Sequence, residues 1–205
     1  MIQHHILEIH IEEPTSDPAQ PSIHHSLADD PAEAEKRYRA LIQVLISQLT
    51  GLNQTHVRFI VSPEDTNAVE AVSFWILPLF RGSIVKLVDH FHFTPEQNAP
   101  EFTIEFTADI MTNDGYKKAA KLSAHCPQCS SRWINAAMQQ CSETIEVTGK
   151  NYLTIYHQKQ SSNNSSKELP ELPVIHTDND WQAAMDSPIG PKLKKFYDEI
   201  NADFI

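Results

Sequence analysis

Segments with two different spacings of hydrophobic residues alternate along the chain. Between Leu7 and Ile11, apolar side chains alternate with polar ones, and this period of two predicts a strand. Between Tyr38 and Leu49, apolar residues recur every three or four positions, which predicts a helix that starts at Pro31 after an aspartate cap. The same reasoning predicts strands over residues 2–11, 56–61, 84–93, 116–122, 145–147 and 152–156, and helices over residues 31–49, 64–77, 102–110, 131–138, 181–185 and 192–201.

The order of these elements predicts an α/β fold. Strands that alternate with helices pair in parallel through right-handed crossovers, so we expect a three-layer domain with a mostly parallel sheet. A chain of 205 residues is long enough for one such domain and short for two. We therefore expect a single domain over residues 1–205. Within it, residues 158–168 are rich in Ser and Asn and are predicted to form a mobile polar loop.

Charge and composition narrow the set of partners. The formal net charge is −11, and no block of Lys or Arg interrupts it, so phosphate backbones and anionic lipid are repelled. No apolar run approaches the ~18 residues that a spanning helix needs. We expect neither nucleic acid nor membrane as a partner, and a cytoplasmic protein whose three cysteines fit a reducing compartment. The oligomeric state stays open.

Glycine is scarce, which excludes several phosphate-binding motifs. The five glycines in 205 residues stand singly. A dinucleotide fingerprint or a P-loop needs several glycines within a few residues, because the backbone must approach the phosphates without a Cβ in the way. Both motifs are excluded, and so is a nucleophilic serine in a glycine-flanked elbow.

The segment after the predicted strand 116–122 contains Cys126-Pro127-Gln128-Cys129, for which three interpretations are open. A Cys-x-x-Cys pair at a helix N-terminus is typical of redox centres, because helix-end N–H groups lower the pKa of a thiol. With Cys141 and His125, the pair also has the ligand types of a zinc site, although no second Cys-x-x-Cys is present. The third interpretation is that both thiols simply pack at a turn.

Two further segments carry a resemblance to a known family. Ser123-Ala124-His125-Cys126-Pro127 and the helix over residues 132–137 resemble the Gly-Thr/Ser-Asp-Cys-Pro turn and following helix of bacterial GT-A-like nucleotide-diphospho-sugar transferases. These are the glycosyltransferases of the arsenosugar-biosynthesis type. Residues 172–181 similarly resemble the Ile-Asp-Thr-x-x-Asp-Trp/Leu signature of that family. The order of elements agrees along nearly the whole chain, so the resemblance implies a GT-A-like fold.

The resemblance implies an activity whose residues are only partly present. It implies a nucleotide sugar as partner and, if the protein is active, a divalent metal as cofactor, with Ser123, His125 and Asp180 at the nucleotide. His125 and His176 stand where the family motifs have aspartates, and residues 20–27 lack the Lys and Arg of the family's Pro-Gly-x-Val-Lys-Thr-Arg-Leu loop. Imidazoles are poor ligands for hard cations such as Mg²⁺. The active site is therefore expected to be degenerate or lost.

The same replacements suggest an alternative, a histidine metal site. If the strands align as in the family, His24 or His25 lies with His125 and His176 at one end of the sheet, where imidazoles could bind Zn²⁺ or a similar metal. Three classes of function stay open at this point. They are a glycosyltransferase-like protein with a degenerate site, a non-catalytic binding module of the same fold, and a thiol-redox or metal-binding protein.

Two acidic residues near the end of the chain have two possible roles. Asp178 and Asp180 could orient a ligand, or they could cap the helix that is predicted to begin at Trp181. Aspartate is a common N-cap residue, so we favour the second role.

Overall fold

Five strands form one sheet in the computed structural model, which describes residues 5–13, 26–62, 66–80, 91–95, 116–140, 152–157 and 172–203. The strands are β1 (His5–Glu12), β2 (Thr55–Ser62), β3 (Phe91–Pro95), β4 (Lys118–Ser123) and β5 (Leu153–His157). Their order across the sheet is β3-β2-β1-β4-β5. The first four are parallel to one another. The predicted α/β class and mostly parallel sheet are thus confirmed.

The fifth strand departs from the expected pattern. β5 pairs with β4 in antiparallel fashion, with Leu153 opposite Leu122. The sheet is therefore mostly parallel, as predicted, with one antiparallel strand at its edge. An antiparallel strand at the edge of an otherwise parallel sheet is a common arrangement.

Five α-helices accompany the sheet in the described part of the chain: α1 (Pro31–Gln48), α2 (Thr66–Ile76), α3 (Ser131–Gln140), α4 (Asp178–Met185) and α5 (Gly190–Asp203). Helix α1 begins as its sequence predicts, with Pro31 in the first turn and the Asp30 side chain accepting a hydrogen bond from the Ala32 N–H at 3.3 Å. Among the described residues, no helix combines the length and the apolar character that crossing a membrane requires.

In the described part of the chain, one large cluster of buried apolar residues lies on one face of the sheet. Leu7, Ile9 and Ile11 of β1 point to this face, and they belong to one buried cluster with apolar residues of all five helices. Tyr38 and Leu41 of α1 are in the same cluster. Because side chains alternate along a strand, the intervening residues of β1 point to the opposite face.

That opposite face carries ionisable side chains, and we call it the polar face. Its ionisable members on the three central strands include Glu8, His10, His56, Arg58 and Lys121. Glu8 has no exposed surface. A parallel sheet usually has apolar residues on both faces, so this charge distribution is unusual.

Several predicted features lie outside the described residues. They are the strand over 145–147, the helix over 102–110 and the polar loop over 158–168. The loop stays a prediction.

Candidate functional site

The strand order defines where a ligand would bind in this fold. From β1 the chain proceeds outward to β2 and β3, whereas β4 lies on the other side of β1. The order therefore reverses between β1 and β4, and ligands of open α/β sheets bind beyond the carboxyl ends of the strands at such a reversal. The loop that follows β4, starting at Ser123, lies at this crevice.

His125 is held rigidly in that loop. Its side chain is buried, with 8% of the residue exposed, and its Nδ1 lies 2.9 Å from the carbonyl oxygen of Ile175. A carbonyl can only accept a hydrogen bond, so Nδ1 carries a proton and donates it to this carbonyl. Ile175 donates its own N–H to the His125 carbonyl at 2.9 Å, and the Ser123 hydroxyl oxygen accepts the His125 N–H at 3.2 Å.

His176 lies directly against His125, although the two residues are far apart in sequence. The ring centroids are 4.5 Å apart with an interplanar angle of 40°. His176 is exposed, and its carbonyl oxygen accepts a hydrogen bond from the hydroxyl of Ser26. The structure thus brings together the two histidines that were predicted as metal ligands. His24 and His25, the other candidates, lie outside the described residues.

The backbone next to His176 is fixed by a capping box. The Asp180 carboxylate accepts the N–H groups of His176 at 3.1 Å and of Thr177 at 3.0 Å, while the Thr177 hydroxyl oxygen accepts the Asp180 N–H at 3.2 Å. Burial acts to raise the pKa of Asp180, but these hydrogen bonds outweigh it and hold the pKa below its usual value. The cap of α4 is Thr177, so the helix begins earlier than predicted and Asp180 completes the cap from its first turn.

Arg37 ties the C-terminal segment to α1. Its guanidinium pairs with Asp178, donates to the Leu27 carbonyl at 2.7 Å and donates to Glu33 at 2.8 Å. It also lies 5.4 Å from the ring centroid of Trp181. With these partners, Arg37 serves to hold the segment in place, and its charge is already balanced by two carboxylates.

The two cysteines after β4 are packed in the core. Cys126 and Cys129 have no exposed surface, and the Cys129 N–H donates to the Cys126 carbonyl at 3.1 Å. Burial raises the pKa of the Cys126 thiol to about 11 and raises that of Cys129 as well. A redox nucleophile needs the opposite shift. Packed thiols at a turn are therefore the interpretation that the geometry favours.

A carboxylate site for Mg²⁺ or Mn²⁺ does not fit this crevice. In the described part of the chain, no three residues of His, Cys, Asp or Glu are grouped so as to hold a metal ion. Asp178 is paired with Arg37, and Asp180 is occupied by backbone N–H groups. The side chains that do meet are imidazoles, which suit hard cations poorly. Cys141, the remaining candidate zinc ligand, lies outside the described residues.

Sequence reasoning missed the residues that join the distant segments. Ser26 contacts His176 across 150 positions of sequence, and the ring of Tyr38 lies 5.7 Å from that of His125. The Tyr38 hydroxyl oxygen also accepts the Glu12 N–H at 2.9 Å, at the carboxyl end of β1. Tyr38 fits the spacing of apolar residues along α1. This spacing predicts that Tyr38 is a core residue, but it does not predict these contacts.

Comparisons with known proteins agree with the architecture. No protein-family model and no curated protein sequence matches the chain. A solved structure from Desulfovibrio desulfuricans G20, provisionally named a nucleotide-diphospho-sugar transferase, is similar over 90% of this chain and 76% of its own, with 13% identity and a TM-score of 0.55. This likeness shows the fold.

Two more distant structures were also found. A cytidylyltransferase from Leptospira borgpetersenii matches 77% of this chain and 61% of its own at 9% identity, with a TM-score of 0.38. CMP:2-keto-3-deoxy-manno-octonic acid synthetase, complexed with CTP, matches 98% of this chain and 87% of its own at 14% identity, again with a TM-score of 0.38.

Proposed function

We propose that this protein binds a nucleotide diphosphate or nucleotide-diphospho-sugar in the crevice between β1 and β4, and that it has lost metal-dependent glycosyl transfer. The observation that carries the proposal is the contact between His125 and His176, whose ring centroids lie 4.5 Å apart at the strand-order reversal. The motifs of the resembled family have aspartates at both positions.

The proposed nucleotide binding rests on where the candidate residues lie in the fold. Ser123 ends β4, His125 follows it, and Asp180 fixes the segment that carries His176. These are the residues that the resemblance assigns to the nucleotide, and they lie at the end of the sheet where ligands of open α/β folds bind. An imidazolium is a donor and a cation, so either histidine can contact a phosphate oxygen.

The proposed loss of glycosyl transfer rests on the carboxylates, which are not available to bind a metal ion. Stabilising a leaving diphosphate through Mg²⁺ or Mn²⁺ needs carboxylate oxygens at the metal. In the described crevice, Asp178 and Asp180 are committed to Arg37 and to the α4 cap. A non-catalytic binding module of this fold is therefore favoured over an active glycosyltransferase.

Thermal unfolding with a panel of ligands tests the proposal. UDP, GDP, CDP and dTDP, each with and without Mn²⁺, are compared with the monophosphates and with inorganic pyrophosphate. At least one diphosphate should raise the midpoint, because a ligand that binds only the folded state stabilises it by about 2.7 kcal/mol at 100 times its Kd. The rise should be the same in EDTA. If no ligand moves the midpoint at millimolar concentration, the binding proposal fails.

A matched pair of variants tests the loss of the metal site. His176→Asp introduces the carboxylate of the resembled motif, and Asn179→Asp adds the same charge at an exposed neighbour. Only His176→Asp should make the ligand-induced rise dependent on Mn²⁺. Turnover of a nucleotide sugar by the wild-type protein would overturn the claim that transfer is lost while leaving the binding claim intact.

A further inference from the structure

We propose that Arg37 is a positioning residue for the candidate nucleotide site, because its guanidinium joins the two chain segments that flank the crevice. One segment is residues 26–30, in the connection between β1 and α1, and the other is residues 175–180, which include the start of α4. Arg37 acts through these segments and has no contact with the nucleotide in this proposal. The inference rests on the proposed nucleotide binding and adds a residue that the sequence resemblance does not assign to the nucleotide.

Two bridges connect the segments. In the first, the Ser26 hydroxyl donates to the carbonyl oxygen of His176. In the second, Nη1 of Arg37 donates to the Leu27 carbonyl oxygen at 2.7 Å and also to the Asp178 carboxylate. Because both acceptors bind the same nitrogen, this one side chain fixes the distance between the two segments.

The segment 175–180 is also attached to the loop that follows β4. The Ile175 N–H donates to the His125 carbonyl at 2.9 Å, and the Ile175 carbonyl oxygen lies 2.9 Å from Nδ1 of His125. The segment is thus fixed near one end at the strand-order reversal and near the other end by the bond from Arg37 to Asp178. Loss of the Arg37 guanidinium leaves only the first attachment and the bridge from Ser26.

The guanidinium is itself held in one orientation. Its Nε donates to Glu33, one turn earlier in α1, at 2.8 Å, and the group lies 5.4 Å from the ring centroid of Trp181 in α4. An arginine presents its donors in a rigid planar fork, so fixing Nε also fixes the direction of Nη1. The Tyr197 hydroxyl of α5 donates to Glu33, whose carboxylate oxygens lie 2.8 Å and 2.6 Å away. The orientation of Arg37 therefore depends on α5 as well.

Calorimetric titration with UDP, GDP, CDP and dTDP in EDTA tests this role. Arg37→Met/Asp178→Asn keeps the net charge of the wild type, so a weaker attraction for an anionic nucleotide cannot explain a loss of affinity. This variant should bind the diphosphate that the wild type binds about 10-fold more weakly, which corresponds to about 1.4 kcal/mol.

The matched control is Arg39→Met/Glu35→Gln, which also removes one ion pair of α1. Arg39 pairs with Glu35 at 2.7 Å and lies 5.5 Å from the ring centroid of Trp75 in α2. Its printed partners are thus of the same kinds as those of Arg37, but they do not include the segments at the crevice. The control should bind the diphosphate as the wild type does, even where it lowers the free energy of unfolding.

Tyr197→Phe is a milder variant that decides the question if Arg37→Met/Asp178→Asn does not fold. It removes one hydroxyl, keeps the ring, and leaves Glu33 without the donor from α5. Binding should weaken about 3-fold, because the guanidinium loses part of its fixation.

Hydrogen exchange without a nucleotide separates positioning from a general loss of stability. The amides of His176 and Thr177, which donate to Asp180, should exchange faster in Arg37→Met/Asp178→Asn and at the wild-type rate in the Arg39 control. Equal affinity of the wild type and the Arg37 variant would overturn the inference and leave the proposed nucleotide binding intact. So would an equal loss of affinity in the Arg39 control, or unchanged affinity in Tyr197→Phe where the Arg37 variant does not fold. If the wild type binds none of the four diphosphates, the proposed function fails and this inference fails with it.

Discussion

Glu8 of β1 forms an ion pair with Arg58 of β2 on the polar face of the sheet. The two residues are register partners, and Lys121 of β4 is the register partner of Glu8 on its other side. Glu8 is fully buried, whereas Lys121 is exposed. One buried carboxylate in the central strand therefore has a cation on each neighbouring strand.

Replacing only one partner of the ion pair should lower the free energy of unfolding. Glu8→Gln leaves the Arg58 guanidinium without its buried partner, and such a change typically costs about 3–5 kcal/mol. The double variant Glu8→Leu/Arg58→Leu should lose less than Glu8→Gln, because it leaves no uncompensated charge. Urea denaturation gives the free energies of unfolding. A loss below about 0.5 kcal/mol in Glu8→Gln would show that the pair contributes nothing measurable.

His10, two residues further along the polar face, should make stability fall in acid. Burial and the nearby charge of Lys121 lower its pKa to about 4, from about 6.5 in the unfolded chain. Between these two values the unfolded state binds a proton that the folded state does not, so stability decreases as the pH falls from about 6.5 to about 4.

His10→Gln removes this titration and isolates it from other groups. Urea midpoints of the wild type and the variant are measured at several values of pH between 7.5 and 4.5. The stability of the wild type relative to the variant should decline steadily as the pH falls. Parallel pH profiles for the two proteins would contradict a lowered pKa at His10.

The strongest local patterns were sufficient to predict much of the fold. The stripe of α1, together with Asp30 and Pro31 before it, gave the start of that helix correctly. The alternation in β1 gave the strand correctly, but alternation usually marks a strand with one solvated face. Nothing near Glu8 indicates that β1 is central or that Arg58, 50 positions later, lies beside it.

The candidate site could be predicted only in part, for a similar reason. The resemblance put His125 and His176 at the same end of the sheet, and the structure brings their rings into contact. The contacts that hold them, from Ser26 and Ile175, involve a hydroxyl and a backbone carbonyl, which have no distinctive sequence pattern. The Thr177-x-x-Asp180 capping box does have one, and it marks the true start of α4.

The buried cysteines should react slowly with thiol reagents. With the pKa of Cys126 raised to about 11 and that of Cys129 also raised, the thiolate fraction at pH 7.5 is at least ~100-fold below that of an ordinary free thiol. The rate is measured with an aromatic disulfide reagent in a Cys141→Ser background, with urea-unfolded protein as the control. Labelling of the folded protein as fast as glutathione would restore the redox interpretation.

Removal of the Thr177 hydroxyl should weaken the segment that positions His176. Thr177→Ala deletes the acceptor of the Asp180 N–H at the start of α4, and loss of an N-cap costs about 1 kcal/mol. Thr50→Ala is the matched control, since Thr50 is exposed and its hydroxyl makes one long contact of 3.4 Å; its change should stay within about 0.5 kcal/mol. Because His176 shares the Asp180 carboxylate with this cap, hydrogen exchange of the His176 amide should also be faster in Thr177→Ala. A loss of stability with unchanged exchange at His176 would mean that the cap holds α4 without positioning the histidine.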